Sequence, residues 1–231
     1  MKKNIALLSF TLLIGCSGNK DETPKEQIAE VKLDTLVIGN SIYKTQDLAD
    51  TNYTFPDLIA PADTDNVNII NFKEHVSRSA DSLFLSCDNG KTIKLVNNRA
   101  QDDGYVLFNF MDLNKDINYY VITRLRVESR DFILVNKKNG EPLETIAYPI
   151  ASPNNKYFVC GNCDLIAAFE TNGLAVYKKN KNNYELAALR ELADWGPDKL
   201  MWKNDTTLIV RALKKLTDET TTPFYKALYI K

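Results

Sequence analysis

The chain has 231 residues, of which 44% are hydrophobic and 26% are charged. This length and balance are ordinary for a globular protein with one domain, or two small ones, and a real core. The formal net charge of −1 excludes an overall basic field that would attract nucleic acid or anionic lipid. The composition indicates no cofactor.

The start of the chain has the parts of an export leader. Lys2 and Lys3 precede an apolar run over residues 5–14, which is shorter than the roughly 20 residues that span a bilayer. The run ends in residues 13–16, Leu-Ile-Gly-Cys, which resemble the lipobox of bacterial lipoproteins. That resemblance implies removal of residues 1–15 and a diacylglycerol on Cys16, which would attach the chain to a membrane. The alternative is an ordinary signal peptide with a chance cysteine.

Residues 16–27 are polar and predict a flexible tether between the lipid and the globular domain. Ser17 after the lipidated cysteine favours the outer membrane in bacterial lipoproteins. Residues 20–22, Lys-Asp-Glu, resemble the export tag of surface lipoproteins in the Bacteroidota, so the cell surface and the periplasmic face both stay open. We predict the globular domain over residues 28–231.

The globular part consists of short apolar runs separated by turn residues. Asn-Gly pairs at residues 89–90, 139–140 and 172–173 predict turns between strands. Residues 46–50 and 185–192 are helical candidates, although leucines spaced by three leave the second open between helix and strand. The spacing predicts an all-β, antiparallel domain. The predicted strands include residues 83–85, 92–96, 105–110, 119–127, 132–135, 157–159, 165–169, 174–177, 208–213 and 224–230.

Two segments of the C-terminal part resemble the blades of TolB-like β-propellers. Residues 152–157, Ser-Pro-Asn-Asn-Lys-Tyr, resemble the turn that opens such a blade, with Asn154-Asn155 in place of its Asp-Gly. Residues 201–210 repeat the order of aromatic residue, turn and strand, and in that family the aromatic side chain packs between blades. The resemblance covers residues 148–231, about two blades, and implies a propeller-like arrangement. A β-sandwich is the alternative.

Three cysteines remain besides Cys16, so at most one disulfide forms within a monomer. Cys160 and Cys163 form a Cys-x-x-Cys motif, which suits a possible thiol-redox pair when one thiol has a lowered pKa. The other interpretations are a small structural disulfide across a Gly-Asn hairpin turn, or two free thiols. A zinc site is not expected, because only Cys87 and His75 are left to complete four ligands.

Other polar groups give no catalytic or metal site. The sequence around His75, the single histidine, contains no recognisable nucleophile motif. We therefore predict that His75 is a surface residue. Residues 112–118 alternate oxygen-bearing side chains as a Ca²⁺-binding loop does. However, Ile117 stands where that loop has glycine, and the twelfth position has no acidic residue. Residues 63–66 show a weaker form of the same pattern. Arg124, Arg126 and Arg130 are interspersed with acids, which favours a mixed, solvated strand face over an anion site.

Two main hypotheses for function follow from these patterns. The first is an outer-membrane lipoprotein that acts as a non-catalytic binding or accessory module, either in an envelope complex or as a receptor for a glycan, peptide or protein. The second is an envelope enzyme, with redox chemistry at Cys160 and Cys163 or hydrolysis by unmarked carboxylates. An inhibitor or immunity lipoprotein is a third possibility.

Overall fold

The computed structural model describes most of the chain from Asp34 to Ile230, in the ranges 34–38, 41–56, 65–100, 102–217 and 219–230. At residues 41 and 42 only the backbone is described. The predicted leader, Cys16 and the tether lie outside these ranges. The predicted domain start at residue 28 lies outside them as well.

The described residues form sixteen β-strands and one short helix, which confirms the all-β, antiparallel prediction. The bounds are β1 Asp34–Ile38, β2 Ser41–Asp47, α1 Asp65–Asn71, β3 Val76–Ser79, β4 Ser82–Ser86, β5 Thr92–Val96, β6 Leu107–Asn114, β7 Tyr119–Leu125, β8 Arg130–Asn136, β9 Pro142–Thr145, β10 Ile150–Ala151, β11 Tyr157–Asn162, β12 Gly173–Asn180, β13 Asn183–Glu191, β14 Trp195–Asn204, β15 Thr207–Lys215 and β16 Thr221–Tyr229.

These strands form four antiparallel sheets that follow chain order. Sheet I contains β3 to β5, sheet II contains β6 to β9, and sheet III contains β10 to β13. Sheet IV has the strand order β1-β2-β16-β15-β14, so strands from both ends of the described chain share it. In particular, β2 pairs with β16 over Thr45↔Leu228 and three neighbouring pairs.

The sheets stack face to face, and three apolar clusters fill the spaces between successive sheets. Strand β7 shows how one sheet contributes to two clusters, because successive side chains point to opposite faces of a strand. Tyr119 and Val121 join the cluster between sheets II and III, whereas Tyr120 and Ile122 join the cluster between sheets I and II. A third cluster joins sheets III and IV. Each neighbouring pair of sheets packs as in a β-sandwich.

Two of the predicted Asn-Gly turns are confirmed, and the third is wrong. Gly90 between β4 and β5 and Gly140 between β8 and β9 have φ angles of +81° and +79°, which glycine adopts without steric cost. Gly173, in contrast, is the first residue of β12 and pairs with Glu191. The chain approaches β12 through a longer loop.

The helix expected at residues 46–50 is wrong, and residues 185–192, which the sequence left open between helix and strand, form a strand up to residue 191. Residues 46 and 47 belong to β2, and residues 185–191 belong to β13. The leucine spacing in β13 has a structural cause: Leu186 pairs with Tyr177 and Leu189 with Ala175, with a register shift between them. The extra residue, Ala187, is a β-bulge, so leucines three apart lie on the same face of the strand.

The C-terminal resemblance corresponds to two hairpins in equivalent places. Residues 152–156 join β10 to β11, and residues 205–206 join β14 to β15, so each turn connects the first two strands along one edge of its sheet. The Ser152 hydroxyl accepts a hydrogen bond from the Tyr157 N–H at 3.1 Å. Trp202 packs against the cluster between sheets III and IV, and its Nε1 donates to the Ile150 carbonyl at 2.9 Å. The expected packing of an aromatic side chain between sheets is confirmed.

Candidate functional site

The Cys-x-x-Cys motif does not form a joined pair. Both cysteines are free, and they lie in different surroundings. Cys160 lies within β11 and is buried in the cluster between sheets II and III. Cys163 follows β11 and lies against Gly196 of β14 in sheet IV. The expected hairpin turn at Gly161 is wrong, because Gly161 pairs with β12 and keeps the chain extended.

The thiols are also poorly suited to redox chemistry. Burial raises the pKa of the Cys160 thiol to about 12. Burial, and then the carboxylates of Asp198 and Asp164, raise the pKa of Cys163. Burial raises the pKa of Cys87 too. Because the thiolate is the attacking form, a redox-active cysteine needs a lowered pKa, which is the opposite shift.

The arginine-rich strand face is a network of ion pairs. Arg124 contacts both carboxylate oxygens of Asp131, at 2.8 and 2.6 Å, and donates to Glu144 at 2.8 Å. Arg126 also donates to Asp131, at 2.9 Å. Burial alone would raise the pKa of Asp131, but the hydrogen bonds from both arginines outweigh it and lower the pKa. The prediction of a mixed strand face is therefore confirmed.

The described parts of the two calcium-like segments engage their polar side chains within the fold, and residues 63 and 64 of the second segment lie outside the described ranges. The Asp112 carboxylate accepts from the Tyr148 hydroxyl at 3.0 Å, and the Asn114 amide donates to a backbone carbonyl. In the second segment, the Asp65 carboxylate binds Arg78. Within the described ranges, no three or more His, Cys, Asp or Glu side chains group so that they could hold a metal ion.

A loop with five consecutive apolar residues connects β11 to β12. We name residues 165–169, Leu-Ile-Ala-Ala-Phe, the apolar loop. The exposed fraction is 54% for Ile166 and 60% for Phe169, and both alanines are exposed too. The sequence predicted a strand here, and that prediction is wrong, since the segment has no strand partner among the described residues.

The Asp164 carboxylate replaces the missing strand partner. It accepts backbone N–H bonds from Ala168 at 3.0 Å and from Phe169 and Glu170 at 2.7 Å each. Burial would raise the pKa of Asp164, but these N–H donors together lower it. Aspartate side chains compete with strand ladders in this way, so the loop closes on Asp164. Ala168 completes the tight turn with a φ of +57°.

Two neighbouring clefts share Thr171 in their linings, and the first of them is also lined by Leu165, Ala168 and Phe169 of the apolar loop. The first, the acidic cleft, has a volume of about 450 Å³ and carries the carboxylates of Asp164, Glu170 and Glu191. The second, the leucine cleft, has a volume of about 230 Å³ and is lined by Leu186 and Leu189 from β13 and by the charged side chains of Arg130, Asp131 and Glu144. We name the apolar loop and these two clefts together the docking face.

A larger cavity of about 630 Å³ lies between the segment before β6 and the turn after β7. Its lining combines Tyr105 with the carboxylates of Asp102 and Asp103 and the side chains of Leu125 and Val127. One Asp102 oxygen already accepts from a backbone N–H at 2.8 Å. An aromatic side chain next to carboxylates offers both a stacking surface and hydrogen-bond acceptors.

Comparison with known proteins adds no family: no family model and no curated protein sequence matches the chain. Within the described ranges, no helix is long and apolar enough to cross a membrane. The sequence patterns did not predict the docking face. Its one local signal is an aspartate directly before two bulky residues and two alanines, because an aspartate there can close a loop.

Proposed function

We propose that this chain is a non-catalytic binding module of the bacterial envelope that docks a protein partner on the docking face. The observation that carries the proposal is the apolar loop, which exposes Ile166 and Phe169 on a backbone closed by Asp164. Exposed apolar residues in a continuous patch are typical of interaction surfaces. Aromatic side chains, Phe among them, are enriched in such surfaces.

The loop is suited to burial at low cost. Covering the exposed 60% of Phe169 would remove roughly 120 Å² of apolar surface from water and contribute up to about 3 kcal/mol. Burying a loop normally also strips water from its backbone N–H groups, which is unfavourable. Here Asp164 already accepts three of them, so a partner can cover the loop without leaving these donors unpaired.

The envelope location rests on the lipobox resemblance at Cys16. Seventeen residues lie between Cys16 and the start of β1 at Asp34, so this stretch reaches at most about 60 Å. We propose attachment to the outer membrane, on the surface or the periplasmic side. Cys16→Ala should move the protein from the membrane fraction to the soluble fraction, and continued membrane association would contradict the lipid anchor.

The enzymatic alternatives have less support. The raised pKa values of the thiols argue against redox chemistry at Cys160 and Cys163. A carboxylate hydrolase needs an acid whose pKa is raised so that it can donate a proton. The two carboxylates with shifted pKa values in the described chain, Asp131 and Asp164, are shifted downward. A wild-type protein that catalyses thiol exchange would reopen the redox hypothesis.

A pull-down of the native lipoprotein from mild-detergent envelope extracts tests the binding proposal. We expect a stoichiometric protein partner that is lost from Phe169→Ser and Ile166→Ser. The matched control is Leu216→Ser, which changes an equally exposed side chain, 63%, in a different loop. Wild-type protein that comes down alone, or a partner that is retained by both loop variants, would contradict docking on this face.

A glycan ligand is the second candidate, supported by Tyr105 and the two aspartates of the 630 Å³ cavity. Glycan-array binding that Tyr105→Ala abolishes would support it. An array without signal for the wild type would contradict the glycan hypothesis.

A further inference from the structure

The charges that line the acidic cleft are of one sign, whereas the leucine cleft also contains Arg130. The described lining of the acidic cleft carries three carboxylates, on Asp164, Glu170 and Glu191, and no lysine or arginine. Apolar side chains share the same lining, among them Phe169 and Leu192. A ligand of this cleft therefore meets an apolar surface and negative charge together.

Two of these charges are not offset by a described ion pair. Asp164 is bonded to neutral backbone N–H groups, which hold its carboxylate in the charged form without cancelling the charge. Glu191 has no hydrogen-bond or ion-pair partner among the described residues and is exposed. Glu170 differs, because Arg130 lies 3.6 Å from one of its oxygens. Arg190, next to Glu191, lies on the opposite face of β13.

The ring of Phe169 adds a second attraction for a cation. Lysine and arginine side chains bind favourably over aromatic rings, and their aliphatic stems cover apolar surface. Anionic lipid headgroups would be repelled by the same carboxylates, and membrane-binding segments carry basic residues instead. The cleft thus favours a cationic side chain of a protein over a lipid surface.

From this complementarity, and resting on the proposed function, we propose that the partner is a protein segment with a lysine or arginine beside an apolar anchor. The apolar anchor covers Ile166 and Phe169. The cationic side chain enters the acidic cleft and approaches the carboxylates of Glu191 and Asp164. Charge pairing of this kind sets which partner binds and speeds the encounter.

Photo-crosslinking in the native host tests the inference with the full-length protein. The photoreactive residue p-benzoylphenylalanine replaces Phe169, and mass spectrometry identifies the crosslinked molecule. We expect a protein peptide with Lys or Arg within a few residues of the crosslink. Glu191→Lys should lower the crosslink yield at least tenfold, and Glu191→Gln should lower it less and weaken its salt dependence. Glu219→Lys, the same charge reversal at another exposed site, should leave the yield unchanged.

The outcomes separate this inference from the proposed function. A protein crosslink without a nearby basic residue, or one that Glu191→Lys does not reduce, overturns the charge pairing and leaves the docking function standing. A phospholipid adduct, or no adduct above the level of the same photoreactive residue at position 219, overturns the docking function itself. A melting temperature equal to that of the wild type verifies that each variant is folded. If Glu191→Lys is not folded, the crosslink yield of Glu191→Gln tests the charge pairing instead.

Discussion

Removing the Asp164 carboxylate should open the apolar loop while the stacked sheets stay folded. Asp164→Ala deletes the acceptor of three backbone N–H bonds, from Ala168, Phe169 and Glu170. Hydrogen bonds to a charged group contribute about 1.5–3 kcal/mol each when buried, and less at a partly exposed site such as this one. We therefore expect the free energy that keeps the loop closed to fall by about 2–4 kcal/mol in total.

Hydrogen exchange measures this loss directly. Every 1.4 kcal/mol corresponds to a factor of ten in the opening equilibrium, so exchange of the three amides should accelerate roughly 30- to 1000-fold. Asp164→Asn should have a smaller effect, because the remaining oxygen can still accept. Amides of the central strands β7 and β12 serve as the internal control and should exchange as in the wild type.

The same carboxylate gives the loop a pH dependence. Since the pKa of Asp164 is lowered in the folded protein, its contribution is present above the ordinary aspartate pKa of about 3.9 and is lost as the pH falls through the folded value. The difference in amide exchange between the wild type and Asp164→Asn should therefore be largest at pH 7 and smaller at about pH 3. Unchanged amide exchange in Asp164→Ala would refute the role of this carboxylate.

Three further predictions concern the core and the thiols. Phe158→Ala should lower the free energy of unfolding by about 3–5 kcal/mol, measured by urea denaturation, because the ring is fully buried between sheets II and III. Gly173→Ala should destabilise the fold by at least about 1 kcal/mol, because a Cβ there would overlap the backbone carbonyl of Arg190; a melting temperature equal to that of the wild type would contradict this. Iodoacetamide at pH 7 should label Cys163 slowly and Cys160 only after unfolding, since burial raises both pKa values, and rapid labelling of the native protein would contradict the protonated state.

Local patterns were sufficient for the fold class and for much of the strand arrangement. Gly90 and Gly140 sit in turns whose positive φ angles suit glycine, so the flanking runs could be recognised as hairpins. The aromatic-turn-strand order around Trp202 marked a packing position between sheets, because a large ring with one polar atom suits such a place. The lipobox at Cys16 is equally local, and its lipid anchor stays a prediction.

The docking face depends on relations that residue order does not contain. Residues 165–169 have the composition of a strand, but the carboxylate of Asp164 takes the N–H groups that a ladder would need. Leu186 and Leu189 lie together in the leucine cleft because a bulge in β13 changes the alternation, and that bulge is defined only by pairing with β12. Alternation and turn chemistry act over a few neighbours and can be recognised in the sequence. The faces that meet, the carboxylates that share a cleft and the separate surroundings of Cys160 and Cys163 arise only when distant strands pair and sheets stack.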